Sequence, residues 1–477
     1  MSPSESAFTN LRIRLARFPT PSAAPAHPPP PLRARQIKTR TGCQQCKRRR
    51  VKCDETRPTC RRCRARGEEC SGAARVEKWQ VIAMPLKTRI VMAPRSLRRE
   101  LDDDDELLQY FSTVYLKDMV LDLKTATPLP PSLLHAARSL SIAHIHRFEP
   151  DCIKRSMKDY LRALAALRNE FGQEVIEKHR STHDALHRLL LGALLLAVLH
   201  AWYDDSSRDC GLVHLRGAAA TLDLLLTSTV YGSWSMIWED FLIGCVVSLD
   251  MLYSFLIPAR HPLPHSPSLI QHLKQDCWRS GAHMNPICGL ATPLALLVSQ
   301  AGRYYRSVVD LRRRDPDKER ELERSLLQWK PLDADDKPFH VQTADGYRVC
   351  GLLMLHQARQ VVGARPPPVA HPGLQAAKAH QLILFAMAIL RDTLPILPQP
   401  NFEAPLLLIV GSEIEKEDRA GRALIETRFA DLIASTYRRG HRIAAKFMRD
   451  YWQLRDGGRD VTWLEVLVEK GLSLNLA

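Results

Sequence analysis

The stretches CQQCKRRRVKC (residues 43–53) and CRRCRARGEEC (residues 60–70) decide how the first part of this chain folds. Each reads C-x2-C-x6-C, so the second repeats the first, and six of the chain's twelve cysteines fall within 28 residues. A C-x2-C pair bends the backbone so that two thiolates reach one metal ion, and a six-residue spacer running as a short helix returns the third thiolate to the same side. Six thiolates fall short of the eight ligand positions that two separate tetrahedral zinc sites require. Two bridging thiolates close that gap, so the spacing predicts a binuclear cluster with pseudo-two-fold symmetry. Disulfides are disfavoured, because Arg12, Arg14 and Arg17 interrupt any secretory pattern and the expected setting is intracellular. A single-zinc module on Cys43, Cys46, Cys60 and Cys63 would leave Cys53 and Cys70 unexplained, although both repeat at the same offset from their pairs. So short a segment has too little apolar content for a core of its own, and metal would supply its folding free energy.

Charge points the same way. The 477 residues carry 68 Lys and Arg against 52 Asp and Glu, a formal net charge of +16. Residues 1–37 contribute +4 and residues 38–70 contribute +8, which leaves only +4 for the other 407. The basic character is therefore local, and a polyanion partner is expected for the first 70 residues rather than for the whole chain.

The segment from Thr41 to Cys70 resembles the fungal zinc binuclear cluster, the Zn2Cys6 family of transcription factors, at all six cysteines and at the basic run between the second and third. The resemblance implies two zinc ions per chain, held by Cys43, Cys46, Cys53, Cys60, Cys63 and Cys70, with Cys43 and Cys60 as the bridges. It also assigns Pro58 to the central loop, whereas the Tyr that often follows the last cysteine in that family is missing here. The implied partner is double-stranded DNA, and the implied location is the nucleus. A helix after Cys46 would present Lys47, Arg49, Arg50 and Lys52, with Arg49 and Arg50 in the positions that reach a CGG triplet and Lys47 and Lys52 on phosphates. An arginine fork suits guanine O6 and N7. KRRRVK alone would read as a nuclear import signal or a solvated face, but a metal frame gives it an orientation. RNA is disfavoured, because no aromatic residue between Cys43 and Cys70 is available to stack on bases.

Four segments are expected: a basic Pro-rich disordered tail at 1–37, with seven prolines between Pro19 and Pro31; the cluster at 38–72; a linker at 73–100; and a helical region at 101–477. The fold class is mostly α, a small zinc cluster plus a large all-α regulatory domain. Leu107, Leu108, Phe111 and Tyr115 share a helical face, as do Met157, Tyr160, Leu161, Leu164 and Phe171. Thr292-Pro293 reads as a hydroxyl cap before a first-turn proline, and the acidic run Asp102–Glu106 as a helix N-terminus. Leu189–Leu199, eleven apolar residues, reads as a buried core helix rather than a span, so no membrane partner is expected. Trp234 and Trp238 read as a core stripe, and His135, His144 and His146 as ordinary histidines rather than ligands.

This second region resembles the fungal-specific transcription factor domain through residues 106–111, the Leu133–His146 helix, His214-Leu-Arg-Gly-Ala and the Trp452 and Trp463 stretch. Dimerisation, effector sensing or contact with the transcription machinery is what that resemblance implies. A homodimer is a candidate, since one triplet offers little specificity, but it would have to form without heptads in the linker. The leading reading is a zinc-dependent, sequence-specific transcription factor for RNA polymerase II genes, not an enzyme. The alternative is a metabolite-binding or enzymatic helical domain that the zinc unit tethers to DNA.

Overall fold

The computed structural model of the chain describes most of residues 43–70, residues 107–111 and most of residues 129–476. The expected tail, linker and acidic run, together with Tyr115, Trp234 and the Trp238 side chain, lie outside the described residues. The chain divides into two compact units, Met1–Arg89 and Ile90–Ala477. Among the described residues there is no strand longer than an isolated bridge, of which there are two, Asn285 with Gly289 and Arg313 with Arg365.

Among its described residues the first unit holds two short helices, α1 (Gln44–Arg48) and α2 (Arg61–Arg64), one from each cysteine repeat. Helices of five and four residues do not persist in water on their own. What surrounds them is a core made of sulfur: Cys43, Cys46, Cys53, Cys60 and Cys63 are buried, and Cys70 packs against them.

The second unit opens on a helical segment at residues 107–111, which docks on α3 (Pro131–Ile145). Leu107 packs with Ile142 and Ile145, the Ser141 hydroxyl donates to the Leu107 carbonyl at 3.0 Å, and Tyr110 meets His144 at 2.8 Å. Then come α4 (Pro150–Ile176), α5 (His183–Tyr203), α6 (Leu212–Thr227) and α7 (Met236–Tyr253). The apolar stretch in α5 is longer than the eleven residues expected: Ala185–Tyr203 is long and apolar enough to cross a membrane by composition alone. It is instead a central helix, apolar all round, packed against α3, α4, α6 and α7 with Leu190, Leu196 and Leu199 fully enclosed. Gly211 opens α6 at φ 73°, and a Cβ there would come within 2.8 Å of the Ala197 carbonyl, so the approach of α6 to α5 requires glycine.

The remaining helices among the described residues are α8 (Pro267–His272), α9 (Thr292–Leu311), α10 (Pro316–Gln328), α11 (Pro338–Gln360), α12 (Pro372–Asp392), α13 (Glu403–Gly411), α14 (Arg419–Thr436), α15 (Arg439–Asp456) and α16 (Trp463–Glu469). Helix α9 packs between α7 and α11, and α16 closes over it. Trp463 is fully buried, edge-on to Phe255 and Tyr305 at 5.3 and 6.0 Å between ring centres, and its indole N–H donates to Gln357 at 2.8 Å. A buried indole needs that acceptor, and the contact ties the last helix to α11.

Two expectations are corrected. The face of α4 that meets the core is Ser156, Asp159, Tyr160, Ala163 and Leu167, whereas Met157, Leu161 and Leu164 are exposed. Polar partners decide this rotation: Ser139 on α3 donates to the Ser156 carbonyl at 2.8 Å, and Arg138 reaches Asp159 at 3.4 Å. Thr292 does not cap α9, because it is the first helical residue, with Ala291 in the cap position. Pro293 fits the second helical position as well as the first, since neither N–H has an intrahelical partner.

Arg314 and Glu319 form a buried bidentate pair at 2.8 and 2.7 Å, with Arg359 at 3.1 Å and the Tyr304 hydroxyl at 2.6 Å on the same carboxylate. Burial alone would raise the Glu319 pKa; these partners outweigh it and the net direction is down. The group joins α9, α10 and α11. Glu319→Ala leaves a buried guanidinium without its carboxylate and should cost about 3–5 kcal/mol in denaturant unfolding.

His144 is pushed down to about 4, and His441 to about 3, each by burial first and then by the charge of Arg438. Both are neutral in the folded chain and ordinary in the unfolded one. Above about pH 6.5 they leave stability unchanged. Between pH 6.5 and about 4 the unfolded state binds protons that the folded state refuses. Stability should then fall by about 1.4 kcal/mol per pH unit for each histidine. Unfolding free energies measured across this window should lose about 1.4 kcal/mol per pH unit of slope when His441 is replaced by Gln.

Candidate metal centre and nucleic-acid interface

Each half of the cysteine unit is built alike. The amide of Cys46 donates to Cys43 Sγ at 3.5 Å, and the amide of Cys63 to Cys60 Sγ at 3.4 Å. The Val51 amide closes on the Cys46 carbonyl at 3.0 Å, and the Glu68 amide on the Cys63 carbonyl at 3.1 Å. In the second half Gly67, at φ 62°, also donates to Arg64, which completes a Schellman stop. The loop between the halves is fixed by Asp54, which accepts from the Thr56 hydroxyl at 2.6 Å and from the Arg61 amide at 3.1 Å. These two donors, Thr56 first, hold the Asp54 carboxyl down to about 2.

The sulfurs gather into two groups of four, Cys43, Cys46, Cys53 and Cys60, and Cys43, Cys60, Cys63 and Cys70, each within 4.8 Å. Cys43 and Cys60 belong to both. The separations Cys43–Cys60, Cys43–Cys63 and Cys46–Cys60 are each 3.8 Å. A tetrahedral site with zinc–sulfur bonds of about 2.3 Å has edges of about 3.8 Å, so spacing and donor chemistry fit zinc. Burial, then the neighbouring sulfurs, push the Cys46 thiol up to about 12, and Cys63 is raised by the same causes. Crowded thiols resist ionisation, and a coordinated dication reverses that resistance.

The basic run is placed differently from the expectation. Helix α1 begins at Gln44, before Cys46, and ends at Arg48, so the run leaves the helix at its C-terminal end. Lys47 lies in the helix, but its side chain, Arg50 and Lys52 are outside the described residues. Arg49 turns back on the cluster: it donates to Glu68 at 3.0 Å and to Cys63 Sγ at 3.4 Å. Arg48 is exposed, and so are Arg61, Arg62, Arg64 and Arg66 of the second half. In that half α2 stops at Arg64 and the chain turns at Gly67. Sequence reasoning missed Glu68 as a partner of Arg49, although the glycine four residues after Cys63 was the signal for that turn.

In the helical unit, among the described residues, His135, His144 and Cys152 are not part of a metal group. Cys288 and Cys350 are buried, Cys152 and Cys245 are half-buried, and Cys210 and Cys277 lie outside the described residues.

Residues 107–477 match the family model described as the fungal specific transcription factor domain. The chain belongs to that family. Residues 41–80 match the model of the fungal Zn(2)-Cys(6) binuclear cluster domain, which binds two zinc ions. No curated relative and no solved structure matches the chain. As a fungal transcription factor with a zinc cluster, it is a DNA-binding protein with zinc as its cofactor, two ions per chain. Cys60→Ala removes a sulfur common to both groups. Zinc stoichiometry should drop below two per chain by metal analysis, and retention of two ions would contradict the sharing.

Proposed function

We propose that this transcription factor reads CGG-type triplets through the basic run after Cys46 and regulates genes transcribed by RNA polymerase II. Its site of action is the nucleus, and it is a regulator rather than an enzyme. The six cysteines Cys43, Cys46, Cys53, Cys60, Cys63 and Cys70 hold the two zinc ions, with Cys43 and Cys60 serving both. One observation carries this reading: two overlapping sulfur tetrads, with edges of 3.8 Å, sit beneath a surface of exposed arginines. The zinc frame fixes the backbone on which Lys47, Arg49, Arg50 and Lys52 are carried, so their charge acts from defined positions. Lys47 and Lys52 set register on phosphates, and Arg50 meets a guanine edge. Zinc supplies folding free energy and charge neutralisation; the basic side chains supply the contacts.

Specificity from one triplet is low, so a second copy is proposed to engage a second triplet, through contacts supplied by the helical unit. The same unit is proposed to contact the transcription machinery. The regulator reading is supported by a family match that spans residues 107–477.

Selection from a random DNA pool with full-length, zinc-loaded protein at physiological salt tests both parts. Paired CGG triplets at fixed spacing are expected; salt-sensitive binding without any enriched sequence would refute the reading. Arg50→Ala should lose about 1–3 kcal/mol on the selected site and relax preference at one guanine. Equal weakening on all sequences would remove Arg50 from base reading.

A further inference from the structure

Arg49 and Arg50 are adjacent, and both arginines suit guanine by chemistry. The structure separates their roles. Every nitrogen of the Arg49 guanidinium is engaged inside the cysteine unit: Nε donates to the Gln45 carbonyl at 3.3 Å, Nη1 to Glu68 at 3.0 Å, and Nη2 to Cys63 Sγ at 3.4 Å. Reading a guanine bidentately needs the same fork to lie against O6 and N7. A fork turned towards sulfur and carboxylate is not presented to a groove. Its side chain is 24% exposed, and Arg48 beside it belongs to the exposed residues.

We propose that Arg49 is a positioning residue that braces the two halves of the zinc unit through Cys63 and Glu68, and that it leaves base reading to its neighbour Arg50. The proposal deepens the DNA-reading function above and rests on it. Three features build the brace. Cys63 is fully buried and belongs to only one of the two sulfur groups, so an N–H donated to its sulfur orients one half of the cluster. Two dications and six thiolates leave an excess of negative charge, which a guanidinium at 3.4 Å offsets in part. Gly67 turns the chain so that Glu68 faces Arg49 from the second repeat, 19 residues away in sequence. An exposed ion pair alone contributes little, so the sulfur contact carries most of the effect.

The experiment uses full-length protein loaded with zinc, and separately with cadmium-113, without DNA. Arg49→Gln should release zinc to a chelator about tenfold faster. It should also shift one of the two cadmium resonances, the one whose sulfur group contains Cys63. Glu68→Gln should move both readouts in the same direction by less. Arg49→Lys, which keeps the charge but loses the fork, should retain two metal ions and still shift that resonance. In selection from random DNA, Arg49→Gln should recover the same base preferences as the wild type. Unchanged zinc release with unmoved resonances would overturn the proposal, as would loss of preference at a single base. If the wild type itself enriches no sequence, the DNA-reading function fails, whereas the zinc and cadmium measurements still decide whether Arg49 is a brace.

Discussion

A shortage of sulfur governs the first unit. Six cysteines within 28 residues serve a domain that binds two zinc ions, and four ligands apiece would require eight. Overlap is the only economy available, and the structure contains it in the sulfurs of Cys43 and Cys60, which belong to both tetrads. From that overlap follow the short distance between the two repeats, the near-identity of their turns and the burial of sulfur where a larger domain would bury leucine. With a core of sulfur among the described residues, the polar groups around the sulfurs must each hold a place: Asp54 and Thr56 in the connecting loop, Gly67 at the second turn, Arg49 across the join.

In the helical unit the apolar majority sets the fold class, and a few buried polar groups set the details. Helix α5 needs no polar direction because every side is covered. Elsewhere buried hydrogen bonds fix how neighbouring helices meet. Ser156 and Asp159 turn α4, Gln357 receives Trp463, and Glu319 on α10 gathers Tyr304 from α9, Arg359 from α11 and Arg314 from the loop between α9 and α10. Each of these groups would be costly to bury alone, which is why each determines a unique arrangement once paired.

Much of this was legible in the sequence, and the failures share a cause. Cysteine spacing is a covalent constraint on a short segment, so the repeat, the metal count and the need for sharing could be read without coordinates. Helical periodicity over hundreds of residues gave the all-α class. The rotation of α4 could not be read, because Met157, Leu161 and Leu164 form the better apolar stripe and the serine and aspartate that overrule it depend on residues from another helix. The start of α9 was ambiguous because proline is tolerated at either of two helical positions. The contact of Arg49 with Glu68 could not be read either, because the orientation of Glu68 depends on a glycine turn.

The two matching turns carry a further consequence. Where the second repeat has Gly67, the first has Arg50, and where the second has Glu68, the first has Val51. A chain with two copies of one frame does not need each copy to perform both tasks. One copy can be conscripted to hold the frame closed, and the other is then free to vary at its surface. Under that division of labour, new target preferences arise by substitutions in the first repeat outside its cysteines and Arg49, without reopening the problem of how so small a unit stays folded.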